Sequence, residues 1–207
     1  MKVFGEFGEN SRHATLLANG RTYPATWVAA PGYVEIPGLT EFNVRVDDES
    51  GEGILYMLWL VADIGLTGGK EGVLEALESH SQEGADWAAC MQRNRDHCPP
   101  AVMAAEAIGL LSLIATPPGR QGRGLGTPLA RAFAGTVLAP LGVRSFWIKP
   151  VPLAEHPASG FFKPQHAPDS AAFRDASNRL EKHYEQSLDA EWTCSDYLRV
   201  DLDPSAT

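Results

Sequence analysis

Between Glu41 and Ala62 the chain carries two segments that leave little choice of local structure. Phe42, Val44 and Val46 alternate with Glu41, Asn43, Arg45 and Asp47, the period of a strand with one buried face. The run Ile54-Leu55-Tyr56-Met57-Leu58-Trp59-Leu60-Val61-Ala62 follows without a single charge, across the turn Glu49-Ser50-Gly51-Glu52-Gly53. Together they read as an antiparallel hairpin. Any fold for this chain is therefore built on a sheet.

Upstream, Arg21 to Trp27 and Gly32 to Ile36 supply further strand-like pieces, confined by Pro24, Pro31 and Pro37 to edges or short lengths. From Gly69 the period changes. Val73, Leu74 and Leu77, then Trp87, Ala88 and Met91 after an Asp86 cap, recur at helical spacing and predict two short helices. A polar connection, Asn94 to Pro100, leads into a more regular second half. There Ala107 to Ala115 reads as a strand, Gly124 to Ala139 as a helix and Ser145 to Lys149 as a strand, which makes a β-loop-α-β unit. Leu129, Ala132, Phe133, Thr136 and Val137 share one face of that helix. A long Pro-containing loop precedes a helix from Ser170 to about Ser187 with Phe173, Ala176, Leu180, Tyr184 and Leu188 on one stripe. A strand, Tyr197 to Leu202, closes the pattern. Residues 1–203 form one expected domain, and 204–207 an expected disordered tail.

Composition narrows the function classes. With 207 residues, 44% of them hydrophobic, the chain can bury a substantial core. A formal charge of −9 opposes uniform binding to nucleic acid. The longest apolar run is too short to span a bilayer, and the acids Glu6 and Glu9 interrupt any secretory leader. Cys90, Cys98 and Cys194 are odd in number and widely spaced, without a zinc-site pattern. The expectation is a cytoplasmic protein with reduced thiols, no bound metal and no membrane or nucleic-acid partner.

The chemistry concentrates in Gln121-Gly122-Arg123-Gly124-Leu125-Gly126-Thr127, between a strand and a helix. Glycines let the main chain turn tightly and approach a ligand, and the helix start offers unpaired N–H groups at the positive end of its dipole. That combination binds phosphate oxygens. Arg120 and Arg123 add cations. Two familiar phosphate loops do not fit. Thr127-Pro128 stands where a P-loop needs Lys-Ser/Thr, and the glycine spacing GxGxG, with no acid about twenty residues on, departs from the dinucleotide fingerprint.

Gln121, Gly124 and Gly126 do occupy the three defined positions of the acyl-CoA pyrophosphate signature Q/R-x-x-G-x-G/A. On that loop, on the strand Leu111 to Thr116, and on the order of the helices and strands after it, the segment 107–202 resembles the GNAT superfamily of N-acetyltransferases. The segment Lys149-Pro150-Val151-Pro152-Leu153 is similar to that of an uncharacterised bacterial subgroup. The resemblance implies a single α/β (α+β) domain whose mixed, mostly antiparallel sheet is flanked by helices and splays at the acyl-CoA site. It implies acetyl-CoA as acetyl donor, held by main-chain groups of Ile114, Ala115 and Thr116 and, at its pyrophosphate, by Gln121, Gly122, Arg123, Gly124, Leu125, Gly126 and Thr127. It implies a small-molecule or peptide amine as acceptor, Tyr184 as proton donor to the departing thiolate and Glu106 as nearest carboxylate for the general base. The strands preceding the two helices in the first half depart from the family's usual order.

Each of these residues has a plainer reading. Tyr184 sits on an apolar stripe, as core tyrosines do, and Glu106 stands where a solvated strand-entry acid would. His97-Cys98 reads as incidental, while His156, His166 and Phe161-Phe162-Lys163 read as a solvated loop or as a lid. Trp59 and Trp147 read as core, and the acidic runs as solvated faces. Two other function classes stay open: a catalytically inactive acyl-CoA-binding sensor or interaction module, and an unrelated anion-binding domain. A homodimer is compatible with all three.

Overall fold

The computed structural model describes residues 10–30, 36–93, 105–155, 162–194 and 196–202. The tail 204–207, the pair His97-Cys98, His156 and Phe161, and the expected strand segment 32–35 lie outside them.

An eight-stranded sheet runs in the order β1-β2-β3-β4-β5-β6-β10-β9. Its strands are β1 (Arg12–Ala18), β2 (Arg21–Ala30), β3 (Leu39–Asp47), β4 (Gly53–Asp63), β5 (Ala107–Ala115), β6 (Val143–Ile148), β9 (Glu191–Cys194) and β10 (Tyr197–Asp201). All neighbours are antiparallel except β5 and β6. The hairpin read at 41–62 is present, with Phe42 opposite Trp59 and Val44 opposite Met57. Strand β1 escaped the sequence reading because its burial alternates only toward its end, at Leu16 and Ala18. Pro24 is tolerated in β2 because β3 begins pairing only at Ala25, so the missing N–H costs no ladder bond on that side.

Helices cover both faces. Helices α1 (Lys70–His80) and α2 (Gln82–Arg93) lie on one, where Val73, Leu77, Trp87 and Ala88 pack on Leu60, Ile108, Leu110 and Trp147. The Ser81 hydroxyl accepts the Gly84 amide at 3.0 Å and so starts α2. Asp86, expected as that cap, therefore lies inside the helix. On the other face α3 (Gly126–Phe133), which continues through a π turn and a 3-10 turn to Leu141, packs beside α4 (Ala171–Leu188). Their Leu129, Phe133, Tyr184 and Leu188 join Trp27, Trp59 and Phe146 in the larger core. Trp59 and Trp147 are fully buried on opposite faces, against Phe133 and Phe146 in one case and Trp87 in the other. Ser170 caps α4 by accepting the Phe173 amide at 3.1 Å. A separate two-stranded ribbon, β7 (Leu153–Glu155) with β8 (Phe162–Pro164), follows β6 in the chain.

Cys90 is disulfide-bonded, contrary to the expectation of reduced thiols. An odd count at wide spacing leaves such a pairing unreadable in the sequence. No helix among the described residues is long and apolar enough to cross a membrane, and no group of described His, Cys, Asp or Glu residues could hold a metal ion.

Candidate active site

Two local irregularities open the sheet. On β5 the register against β4 jumps from Leu111 opposite Trp59 to Leu113 opposite Leu58, leaving Ser112 as an extra, bulged residue. Because side chains alternate, one inserted residue reverses which face each later side chain meets. Ser112 keeps the alternation of Ile108 and Leu110 and faces α2, whereas Ile114 turns to the α3 face, where its Cδ1 lies 3.3 Å from where a Cβ on Gly126 would stand. On β6 the pairing with β5 ends at Ile148 opposite Leu111. Pro150 then lacks an amide for any ladder, and the Val151 amide bonds back to the Lys149 carbonyl at 2.8 Å, a tight turn that carries the chain away. From Ser112 to Ala115, β5 has no partner strand on its β6 side among the described residues.

A cavity of about 1600 Å³ occupies this fork. Glu83 of α2 and Tyr184 of α4 both line it, although the two helices cover opposite faces of the sheet. The cavity therefore passes through the sheet, and reactants entering from the two faces can meet inside it.

The glycine loop forms one side. Gly122 and Gly124 have φ of 75° and 64°, a region that L side chains enter only with strain. A Cβ built on either meets nothing within 4 Å, so the space over the main chain is open. Leu125, at the N-cap of α3, provides no side-chain cap. The successive amides from Gly122 to Thr127 make no hydrogen bond to the protein among the described residues. Row after row of unanswered N–H groups at a helix start is the donor set that phosphate oxygens satisfy, so these residues fit a pyrophosphate. Gln121 closes the loop by donating to the Thr116 carbonyl at 3.2 Å. Arg123 is exposed and makes no ion pair among the described residues. Arg120, expected as a second cation for the ligand, is instead held by Asp48 at 3.0 Å and by Glu52, which ties the loop to the β3–β4 turn.

Ile114, Ala115 and Thr116, Gln121 through Thr127 and Tyr184 all border this one cavity. The structure does not bring Glu106 to it. That carboxylate is exposed beside Gly142, at the end of β5 opposite the fork, because β5 runs its full length between the two positions.

A carboxylate that does reach the cavity is Glu83, which nothing in the sequence pattern singles out: it is one acid in the first turn of an amphipathic helix. Burial pushes its pKa up from 4.5 to about 6, against the opposing pull of a hydrogen bond from Ser112 and the charge of Lys149. Asp86, one turn on, lies 3.7 Å from the Lys149 ammonium and also lines the cavity. Tyr184 is 5% exposed, and its hydroxyl has no hydrogen-bond partner among the described residues. Burial pushes its pKa up to about 12, so it stays protonated at neutral pH. Glu83 and Asp86 lie at the α2 end of the cavity with Lys149 beside them, and Arg123 and Arg179 lie at the α3 and α4 end.

No family model matches the sequence, and no curated protein sequence matches it. Two of the solved structures similar to this chain are acetyltransferases by name. One is an apo form of a mutant agmatine N-acetyltransferase, 14% identical, with a TM-score of 0.33 over 67% of this chain and 58% of that one. The other is arylalkylamine N-acetyltransferase 2 from Aedes aegypti, 10% identical, with a TM-score of 0.36 over 77% of this chain and 70% of that one. This chain thus spans less than two thirds of the first protein's length. Both are N-acetyltransferases, and superpositions this distant carry no weight for the chemistry, which has to come from the fork itself.

Proposed function

We propose that this chain is an N-acetyltransferase, moving an acetyl group from acetyl-CoA to a small-molecule or peptide amine by direct attack. The observation that carries the proposal is a cavity running through the sheet, with a loop of unanswered amides at one end and a buried carboxylate at the other. The amides from Gly122 to Thr127 hold the pyrophosphate, and the unpaired edge of β5 from Ser112 to Ala115 holds the extended arm. When bound, acetyl-CoA supplies an acyl group activated as a thioester.

The protein's own contribution is placement and proton traffic. Holding both reactants at one fork removes the entropic cost of their encounter. Glu83, ionised above about pH 6, takes a proton from the acceptor ammonium. Glu83 and Asp86 outnumber Lys149 at that end of the cavity, which favours a cationic acceptor over an anionic one. Tyr184, protonated and without a competing acceptor, delivers a proton on the α4 side, where the thiol departs. The cytoplasm is the compartment in which such a donor would be met.

Native mass spectrometry of the purified protein, followed by calorimetric titration with acetyl-CoA, tests the donor. Carried-over CoA or a saturable heat of binding is expected. No mass shift and no heat at millimolar acetyl-CoA would leave an unrelated anion-binding domain as the better reading.

A further inference from the structure

A second cavity, of about 520 Å³, adjoins the first and shares Ile54, Arg120, Arg123 and Leu125 with it. It contains none of the fork residues of β5 or β6. Its outer wall comes from the β1–β2 hairpin, through Arg21 and Tyr23. That hairpin turns on Asn19 and Gly20, with φ of 51° and 73° and Ala18 paired to Arg21. Two consecutive positive φ values make a tight turn whose twist matches the strands, so Arg21 stands on a defined support.

The charges here are already partly spoken for. Asp48 accepts the Ser50 and Glu52 amides and the Ser50 hydroxyl, and Arg120 is paired to Asp48 and Glu52. Arg21 and Arg123 make no ion pair among the described residues. Glu49 is the one further acid in the lining, so Arg21 and Arg123 leave its charge balance positive in a protein of net charge −9, which marks a place for an anion.

Given the acyl-CoA reading, on which this inference rests, the ligand is linear and its pyrophosphate sits at the glycine loop. One end enters the fork, so the other must leave the loop on its far side. We infer that the second cavity takes the nucleotide end of the donor, with Arg21 pairing the ribose 3′-phosphate and the Tyr23 ring offering the base an aromatic surface. The N-terminal hairpin, outside the cofactor half of the chain, then makes the enzyme selective for the phosphorylated donor.

The test compares acetyl-CoA with acetyl-dephospho-CoA, which lacks only the 3′-phosphate, by calorimetry on wild type, Arg21→Ala and Arg179→Ala. Arg179 lines the alternative exit along α4. Wild type should bind the dephospho compound about tenfold more weakly, the scale of one charge-assisted contact. Arg21→Ala should lose that difference by weakening acetyl-CoA alone, and Arg179→Ala should keep it. Equal wild-type affinities, or a preference that survives in Arg21→Ala, would overturn the inference while leaving the donor reading intact. Absence of binding by either compound would instead remove the donor reading and this inference with it.

Discussion

The Ser112 hydroxyl, on the bulge of β5, donates a hydrogen bond to the Glu83 carboxylate on the first turn of α2. Two elements far apart in sequence thereby set one titration. The bond pulls the Glu83 pKa down while burial pushes it up to about 6. In Ser112→Ala the burial remains and the donor is gone, so the acid limb of kcat/KM should move to higher pH. A pH profile of both proteins checks this, and superimposable limbs would mean that Glu83 is not the base.

Glu83→Gln should lower turnover by a factor of 10² to 10⁴, the range of one general base. Stability should move the other way. Because the folded pKa is raised above 4.5, protonated Glu83 is tolerated below that value, and folding weakens as pH rises through about 6. The cost of holding the charge at pH 8 is on the order of 2 kcal/mol. The Gln variant should therefore melt at a temperature no lower than wild type at pH 8, with its advantage vanishing near pH 4. A large loss of stability at pH 8 would assign Glu83 a structural role.

Gly124→Val and Gly126→Val should both weaken acetyl-CoA binding by an order of magnitude or more, for different reasons. At Gly124 the φ of 64° strains any branched residue, costing roughly 1–2 kcal/mol, and the side chain occupies the open space above the amides. At Gly126 the backbone is helical and the side chain would press on Ile114. Circular dichroism and calorimetry together separate folding from binding. Folded variants with wild-type affinity would move the pyrophosphate elsewhere.

Tyr184→Phe keeps the ring in the core and removes a hydroxyl that has no partner to lose. Turnover should fall on the order of 10²-fold with cofactor affinity unchanged. The melting temperature should hold, since no buried group is left unsatisfied. Unaltered turnover would make Tyr184 a core residue only.

What the sequence made legible was periodic or local. The hairpin at 41–62, the two helices after Gly69 and the apolar stripe of α4 are repeats of two or of about three and a half residues, and the glycine loop is a contiguous motif. Glu83 and Ser112 were illegible because their meeting depends on α2 lying across the fork, which no local pattern records. The pairing of Arg120 was illegible for the same kind of reason. Its counter-charges, Asp48 and Glu52, come from a turn on a different hairpin, 68 residues earlier in the case of Glu52. Glu106 was chosen for its nearness in sequence to β5, but a nine-residue strand separates its two ends by about 26 Å.

Release of free CoA thiol from acetyl-CoA, followed across a panel of primary amines with the wild-type protein, tests the central claim most directly. Amine-dependent release that saturates with acceptor and declines below about pH 6 is the predicted result. Tight binding of acetyl-CoA with no release above the solvent background for any amine would contradict it, and would make the chain an acyl-CoA-binding module on the same fold.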